Sequence, residues 1–320
     1  MTVPVVPVQL PGDDEVLRAL VHRREAGHRD DGNRIALVVS GGGMRGAYAG
    51  GMAHALEDAG LSSWFDVVYG SSAGAFVGGA LVVGEGRGSS HIFFEDMASR
   101  AFIDPRRLGT RQPMVSLDYL IDDVMASSKP MPWERLRDSP VRLRVVATAA
   151  DDLTPHVLEP ETVDEWKRAF RATASIPLLA GRPVELHGRL WIDGSVSEPL
   201  PVPRAVSDGA THVLALLNRT VGELSKADPD APPARWAGAM NRLAPGLGLI
   251  AQEGRRLGPV LAVLERARTR AEDGAYVLAL APGRSMGVRG LTVDVARVEQ
   301  AARVGYATVQ IALRRIERVA

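Results

Sequence analysis

Ile35-Ala-Leu-Val-Val-Ser-Gly-Gly-Gly-Met-Arg-Gly46 and, one helix-length later, Phe65-Asp-Val-Val-Tyr-Gly-Ser-Ser-Ala-Gly74 decide how this chain folds. Each is a short apolar run, a glycine-rich turn and a helix-like segment. A continuous run such as Ile35 to Val39, β-branched and bounded by turn residues, reads as a parallel strand buried on both faces. In the second turn, Gly70, Ser71, Ser72, Ala73 and Gly74 spell Gly-x-Ser-x-Gly. With a strand before it and a helix after it, this pattern sets a serine hydroxyl at the top of a sheet. Gly70 and Gly74 flank the serine because the turn brings backbone too close for side chains. The structural alternative for Ser72 is a plain helix N-cap.

Outward from this unit, the chain alternates strand-like and helix-like segments. Residues 13–26 carry apolar residues at helical spacing, and residues 47–59 form a helix closed by Gly60. Residues 84–90, rich in glycine and serine, read as a flexible loop. Residues 91–102 and 117–125 read as short amphipathic helices, with Asp118, Asp122 and Asp123 on the polar side of the second. They are expected to cap the mouth of a site. Residues 141–148 are strand-like, with a hairpin return at 156–158. Thr162 and Glu165 have capping-box spacing at the start of a helix over 162–173. Residues 184–192 form a hairpin ending at Asp193-Gly194. Residues 211–217 and 276–280 are further strands. Residues 224–245 read as a mobile excursion and 246–271 as mainly helical. A last helix over 294–319 carries an apolar stripe of Val295, Val298, Ala302, Tyr306, Val309, Leu313 and Ile316. This alternation predicts an α/β class fold, a sandwich with a mostly parallel sheet. Residues 1–33 read as an N-terminal extension with a helix. Residues 34–320 read as one domain, with its motifs in 34–217 and a helical part in 218–320.

Composition narrows the function. The 38 basic and 38 acidic residues balance, so no overall field points to nucleic acid. There are no cysteines, which excludes disulfides, thiolate metal sites and a cysteine nucleophile. The first ten residues lack the basic and apolar regions of a signal peptide. The apolar window 67–84 is interrupted by the Gly-Ser-Ser-Ala-Gly turn and reads as strand plus helix rather than a membrane span. The expectation is a cytoplasmic protein.

A serine nucleophile needs a base and an oxyanion hole. Residues Gly41 to Gly46 close one strand and open a helix, so their N–H groups and the helix dipole suit a developing negative charge. Gly41, Gly43 and Gly46 also satisfy the dinucleotide fingerprint Gly-x-Gly-x-x-Gly. That reading wants an acid at the end of the next strand, whereas Asp66 stands at its start. None of the seven histidines follows a core strand directly. Asp193 does, in Trp191-Ile-Asp-Gly-Ser195, where an Asp-Gly turn is the structural alternative.

The Gly-Gly-Gly-x-Arg-Gly loop, the Gly-x-Ser-x-Gly elbow and the distant Asp-Gly, in this order, resemble the patatin-like phospholipases. Ala174-Ser-Ile-Pro177 and Pro199-Leu-Pro-Val202 match further stretches of that family. The resemblance covers roughly residues 34–217. It implies a three-layer α/β/α sandwich and a lipid acyl hydrolase with a Ser–Asp dyad, without histidine, metal or cofactor. Carried over, Ser72 is the nucleophile and Asp193 the general base. Gly42 and Gly43 supply the oxyanion hole, supported by Gly41, Arg45 and Gly46. Gly70 and Gly74 shape the elbow, and Gly194 completes the Asp-Gly motif. The implied substrate is a fatty-acyl ester, met at a membrane or micelle surface. Ile92, Phe93, Phe94 and Leu120 are candidates for that contact, unless they are core. Two departures stand near the base: Ser195, where the family has Gly or Ala, and Glu198, where many members have Asn. Two other readings compete. One is an α/β-hydrolase triad of Ser72, Asp193 and His212. The other is a catalytically silent module that binds lipid or nucleotide.

Overall fold

The computed structural model describes residues 14–224, 240, 242–250, 252–266 and 275–318. The Pro-rich start and most of the 224–245 excursion lie outside the described residues. Eight strands form one sheet: β1 Ile35–Val39, β2 Val67–Ser71, β3 Arg142–Ala149, β4 Pro155–Leu158, β5 Val184–Leu186, β6 Arg189–Ile192, β7 His212–Leu216 and β8 Tyr276–Leu280. The central order is β3-β2-β1-β7-β8, all parallel. These are the short apolar runs, too brief for helices and buried on both faces. At the β3 side the sheet turns antiparallel, with β4 returning on β3 and the β5–β6 hairpin extending the edge.

The two faces of β1 show why it is apolar throughout. Ile35, Leu37 and Val39 enter one core, and Ala36 and Val38 the other. The first core is covered by α1 Glu15–Ala26, α2 Gly46–Asp58, α3 Ala73–Val82, α6 Val163–Thr173 and the last helix, Val295–Glu317. The second is covered by α7 Val202–Ser207 and the helix Glu253–Arg266. The result is the expected α/β/α sandwich. Helix α1 belongs to it: Val16, Leu17 and Leu20 are fully buried, and the helix packs on β7 and β8. The capping box at α6 forms as read, Glu165 N–H donating to Thr162 Oγ1 and Thr162 N–H to Glu165 Oε2, both at 3.2 Å.

Two expectations need correction. Residues 84–90 are not a flexible loop: after a turn at Gly84 they enter α4, Gly86–Ile92. Its glycine serves close packing, since a side chain at Gly86 would meet the Ala53 carbonyl of α2 at 3.0 Å. Val295 leaves the apolar stripe of the last helix and is 47% exposed, because it sits at the first turn beyond the core. A short helix, α5 Trp133–Arg137, has no counterpart in the sequence reading. No helix among the described residues is long and apolar enough to cross a membrane.

Candidate active site

The site lies at the C-terminal ends of the parallel strands. The order β2-β1-β7 places the chain's departures from β1 and β2 side by side there, the usual position for ligands in such sheets. From β2 the chain turns sharply through Ser72, whose φ of 52° and ψ of −130° are strained for a residue with a side chain. A side chain at Gly74 would strike the Val39 carbonyl at 2.2 Å, so only glycine lets α3 start this close to β1. Thr173, at the end of α6, accepts from the Ser72 N–H at 2.8 Å and fixes the turn.

The hydroxyl of Ser72 donates to Asp193 Oδ2 at 2.7 Å. Both residues are buried, at 4% and 3% exposure. Asp193 follows β6 and is held on every side. Its other oxygen, Oδ1, accepts from Ser195 N–H at 2.7 Å. Its carbonyl accepts from Thr148 Oγ1 at 2.9 Å, and its N–H donates to the Ser175 carbonyl at 3.1 Å. Loss of water pushes the Asp193 carboxyl up to about 6, against the opposing bonds from Ser72 and Ser195 and the positive charge of Arg256. The two sequence departures leave this geometry intact. Ser195 supplies the N–H that orients the carboxylate. Glu198 Oε2 is engaged by Arg204 Nε at 2.8 Å, and its carbonyl accepts from Ser71 Oγ at 2.6 Å.

The glycine loop follows β1 on the neighbouring strand. Gly42 and Gly43 have φ of 154° and 58°, a left-handed path that turns the loop over the elbow. Gly41 N–H donates to Pro199 at 2.9 Å and Met44 N–H to Gly290 at 3.0 Å. Between them, the N–H groups of Gly42 and Gly43 have no protein acceptor among the described residues. Arg45 N–H closes the loop on the Gly42 carbonyl at 3.3 Å, and Gly46 opens α2. Asn218, just past β7, donates to the Gly41 carbonyl from the far side.

A cavity of about 310 Å³ leads away from Ser72 and Gly43. Its walls include Phe76, Phe93, Phe102, Leu117, Leu120 and Met125, so the two cap segments do stand at the site. Phe93 and Leu120 point inward and are only 2% and 3% exposed, so for these two the core alternative holds: they are worth more as wall than as exposed surface. Ile92 and Phe94 are half-buried against the same core. The exposed apolar side chains around the cavity are Leu178 and Leu291, with Leu108 at the tip of the cap loop.

The histidine triad and the nucleotide reading fail on position. His212 opens β7, paired with Ile35 at the start of β1, the opposite end of the sheet from Ser72. Its ring contacts Thr211 and Tyr276. Four residues at about 3.3 Å each separate it from the catalytic edge. Asp66 receives Arg23 at 2.8 Å and the Ile35 N–H at 2.7 Å, and so braces the far edge rather than a ribose. No cluster that suits a metal ion occurs among the described residues. Four neighbours of the dyad escape the sequence reading: Thr173, Asn218, Gly290 and Arg256, whose guanidinium donates to the Ser195 carbonyl. Asn218 alone carries a signal, a polar residue just past the C-terminal end of a core strand.

Comparison with known proteins places this geometry. Residues 37–206 match the family described as patatin-like phospholipase. The uncharacterized protein YjjU of Escherichia coli (strain K12) is 31% identical over 191 residues, 59% of this chain and 52% of that protein. The uncharacterized NTE family protein Mb1092c of Mycobacterium bovis is 29% identical over 216 residues, 65% and 56% of the two chains. The chain thus spans about half the length of these relatives. Among solved structures, VipD from Legionella pneumophila is similar with a TM-score of 0.47 at 15% identity, over 88% of this chain and 67% of that one. Because the matched residues 37–206 span more than half of the 320, and include the glycine loop, the serine elbow and the Asp-Gly turn, the chain belongs to the patatin-like phospholipase family.

Proposed function

We propose that this protein is a lipid acyl hydrolase that cleaves fatty-acyl esters through a Ser72–Asp193 dyad and an acyl-enzyme. One observation carries the reading. A buried serine hydroxyl donates to a buried carboxylate at 2.7 Å, at the head of an apolar cavity beside two N–H groups that have no acceptor among the described residues. As Ser72 Oγ attacks the acyl carbonyl, Asp193 accepts its proton. A carboxylate is a weak base for an alcohol, and burial strengthens it while leaving it ionised above about pH 6. The developing oxyanion is placed to accept from Gly42 and Gly43, with Gly41, Arg45 and Gly46 holding that loop. Protonated Asp193 then gives its proton to the leaving alcohol. Water, activated by the same carboxylate, releases the fatty acid and restores Ser72.

The substrate is a lipid presented at an interface on the cytoplasmic side. Support comes from the cap loop between Phe102 and Val115, whose roots Ile103 and Val115 line the cavity. It carries Leu108, 65% exposed, among Arg106, Arg107 and Arg111. Leu178, 54% exposed, lies on the adjoining loop, whose Leu179 carbonyl accepts from Val115 N–H. An apolar tip ringed by cations suits an anionic bilayer surface. The described residues are read as a single domain.

Labelling with a fluorophosphonate tests the dyad. The expected adduct sits on Ser72 and is lost in Asp193→Ala. Folded protein that takes no label overturns the hydrolase reading in favour of a silent lipid binder.

A further inference from the structure

Resting on the acyl-hydrolase reading, we propose that the cavity is a tunnel open at both ends, and that long acyl chains thread through it and out beyond Ala80. The enzyme then sets no upper limit on chain length and accepts chains with a neutral polar terminus. The direction of the cavity comes from α3. Ala73, Phe76, Val77 and Ala80 line it, at spacings of three, four and seven residues. Those positions form one stripe of a helix, so the cavity runs along the α3 axis, away from Ser72. Ten residues of helix give a path of about 15 Å. An extended chain of ~1.5 Å carbon–carbon bonds advances roughly 1.3 Å per carbon, so about 12 carbons fill that path.

The far end is open. Past Ala80 the lining passes to Glu85, Ser128, Lys129 and Pro130. Glu85, Ser128 and Pro130 are exposed, so the cavity meets solvent there, while its other end meets the surface at Gly290 and Leu291 beside Gly43. Ala80 is the last small residue of the stripe before this second mouth, and it is 7% exposed. The opposite wall is Phe102, Leu117, Met125 and Met131, and its methionines adapt to a passing chain.

The charge of the second mouth adds a filter. Lys129 Nζ is held by Glu95 Oε2 at 2.8 Å and by Asp96, and Glu85 stands on the same rim. Lys129 is thus already paired, and Arg135 near Glu85 donates to the Val83 carbonyl, so an anionic chain terminus meets carboxylates without a free ammonium to offset them. A hydroxyl there reaches water at no such cost.

Binding of saturated fatty acids from C8 to C18, each below its critical micelle concentration, to Ser72→Ala protein tests this without turnover. Each added methylene buried in the path is expected to raise affinity about fourfold. The rise continues to about C12 and then levels, because later carbons lie in water. A hydroxyl at the far carbon of a C16 acid leaves affinity within about threefold, whereas a carboxylate there lowers it at least tenfold. Ala80→Phe in the same background fills the path, so affinity peaks near C8 and falls beyond. Ala80→Leu shifts the peak less and covers the case in which the phenylalanine variant does not fold.

A fall in affinity beyond C12 in the Ser72→Ala protein, or heavy loss with the terminal hydroxyl, means a blind pocket and overturns the tunnel. So does a chain-length series unmoved by Ala80→Leu or Ala80→Phe in folded protein. Absence of any fatty-acid binding overturns it as well. None of these readouts depends on Ser72 labelling, so failure of the dyad and failure of the tunnel are seen separately.

Discussion

The hydroxyl of Ser72 meets Asp193 Oδ2 at 2.7 Å across 121 residues of chain, from an elbow between β2 and α3 to a turn after β6. No third residue completes a relay, and no histidine contacts either partner among the described residues. On the proposed mechanism, the pH dependence of hydrolysis follows one carboxylate. Burial pushes Asp193 up to about 6, and only its ionised form accepts the serine proton. We expect kcat/KM for a soluble p-nitrophenyl ester to rise with pH and level above a single acid limb near 6. Asp193→Asn should lower the plateau by about 10²- to 10⁴-fold. A limb near 4 would mean that the carboxylate is hydrated and the site open to water.

The same burial has a stability cost. The folded-state value of Asp193 lies above its ordinary 3.8, so the folded protein binds the extra proton. This group's contribution is therefore favourable at low pH and is lost as pH rises from about 4 through about 6. Asp193→Asn removes the buried charge and keeps both bonds, with its oxygen accepting from Ser195 and its amide donating to Ser72. The variant should melt a few degrees above wild type at pH 8, the shift that on the order of 1–2 kcal/mol gives in a domain of this size. The gain should vanish near pH 4. Thermal melts at the two values check the sign.

The parts of the molecule that were legible in the sequence share a physical feature. Strand runs buried on both faces, the capping box at Thr162 and the elbow glycines are local patterns whose cause lies within a few residues. Ser72 and Asp193 were legible because each sits in such a pattern. Arg256, Asn218 and Gly290 act on the base or the loop through Ser195, Gly41 and Met44, which lie 61, 177 and 246 residues away along the chain, with nothing local to mark them. Residues 84–90 misled for a related reason. Glycine that permits helix contact and glycine that permits a loop look alike until the partner helix α2 is in place. Phe93 and Leu120 stayed open because amphipathic spacing does not say whether the apolar face meets core or lipid.

Arg256 exemplifies a contact of this kind. It lies outside the residues that match the family, in the helix Glu253–Arg266. Its guanidinium donates to the carbonyls of Ser195 and, at 3.0 Å, Ile250, and its charge favours ionised Asp193. Arg256→Ala should move the acid limb to higher pH and lower kcat by about 10- to 100-fold, because the Asp193 turn loses its brace. Arg256→Lys keeps the charge but not the two-pronged geometry, so the limb should stay near 6 while kcat falls. A limb that does not move in Arg256→Ala would mean that the residue serves only to pack the helix.

Far from the site, Arg23 ties the first helix to the sheet. It is fully buried and donates to Asp31 Oδ1 and Oδ2 at 2.8 and 2.9 Å, to Asp66 at 2.8 Å, and to the carbonyls of Trp64 and Asn33 at 2.9 and 2.8 Å. Removing it strands two carboxylates and two carbonyls. Arg23→Ala should cost about 3–5 kcal/mol in urea unfolding, and Arg23→Met less, since an apolar side chain refills the space. The guanidinium also holds Asp31 far below the usual carboxylate range. That contribution is present above the unfolded value near 4 and is lost as pH falls through the lower folded one. Wild type should therefore lose more stability than Arg23→Met between pH 5 and pH 3, two pH values chosen to bracket about 4. Parallel loss in both proteins would show that acid sensitivity resides in other carboxylates.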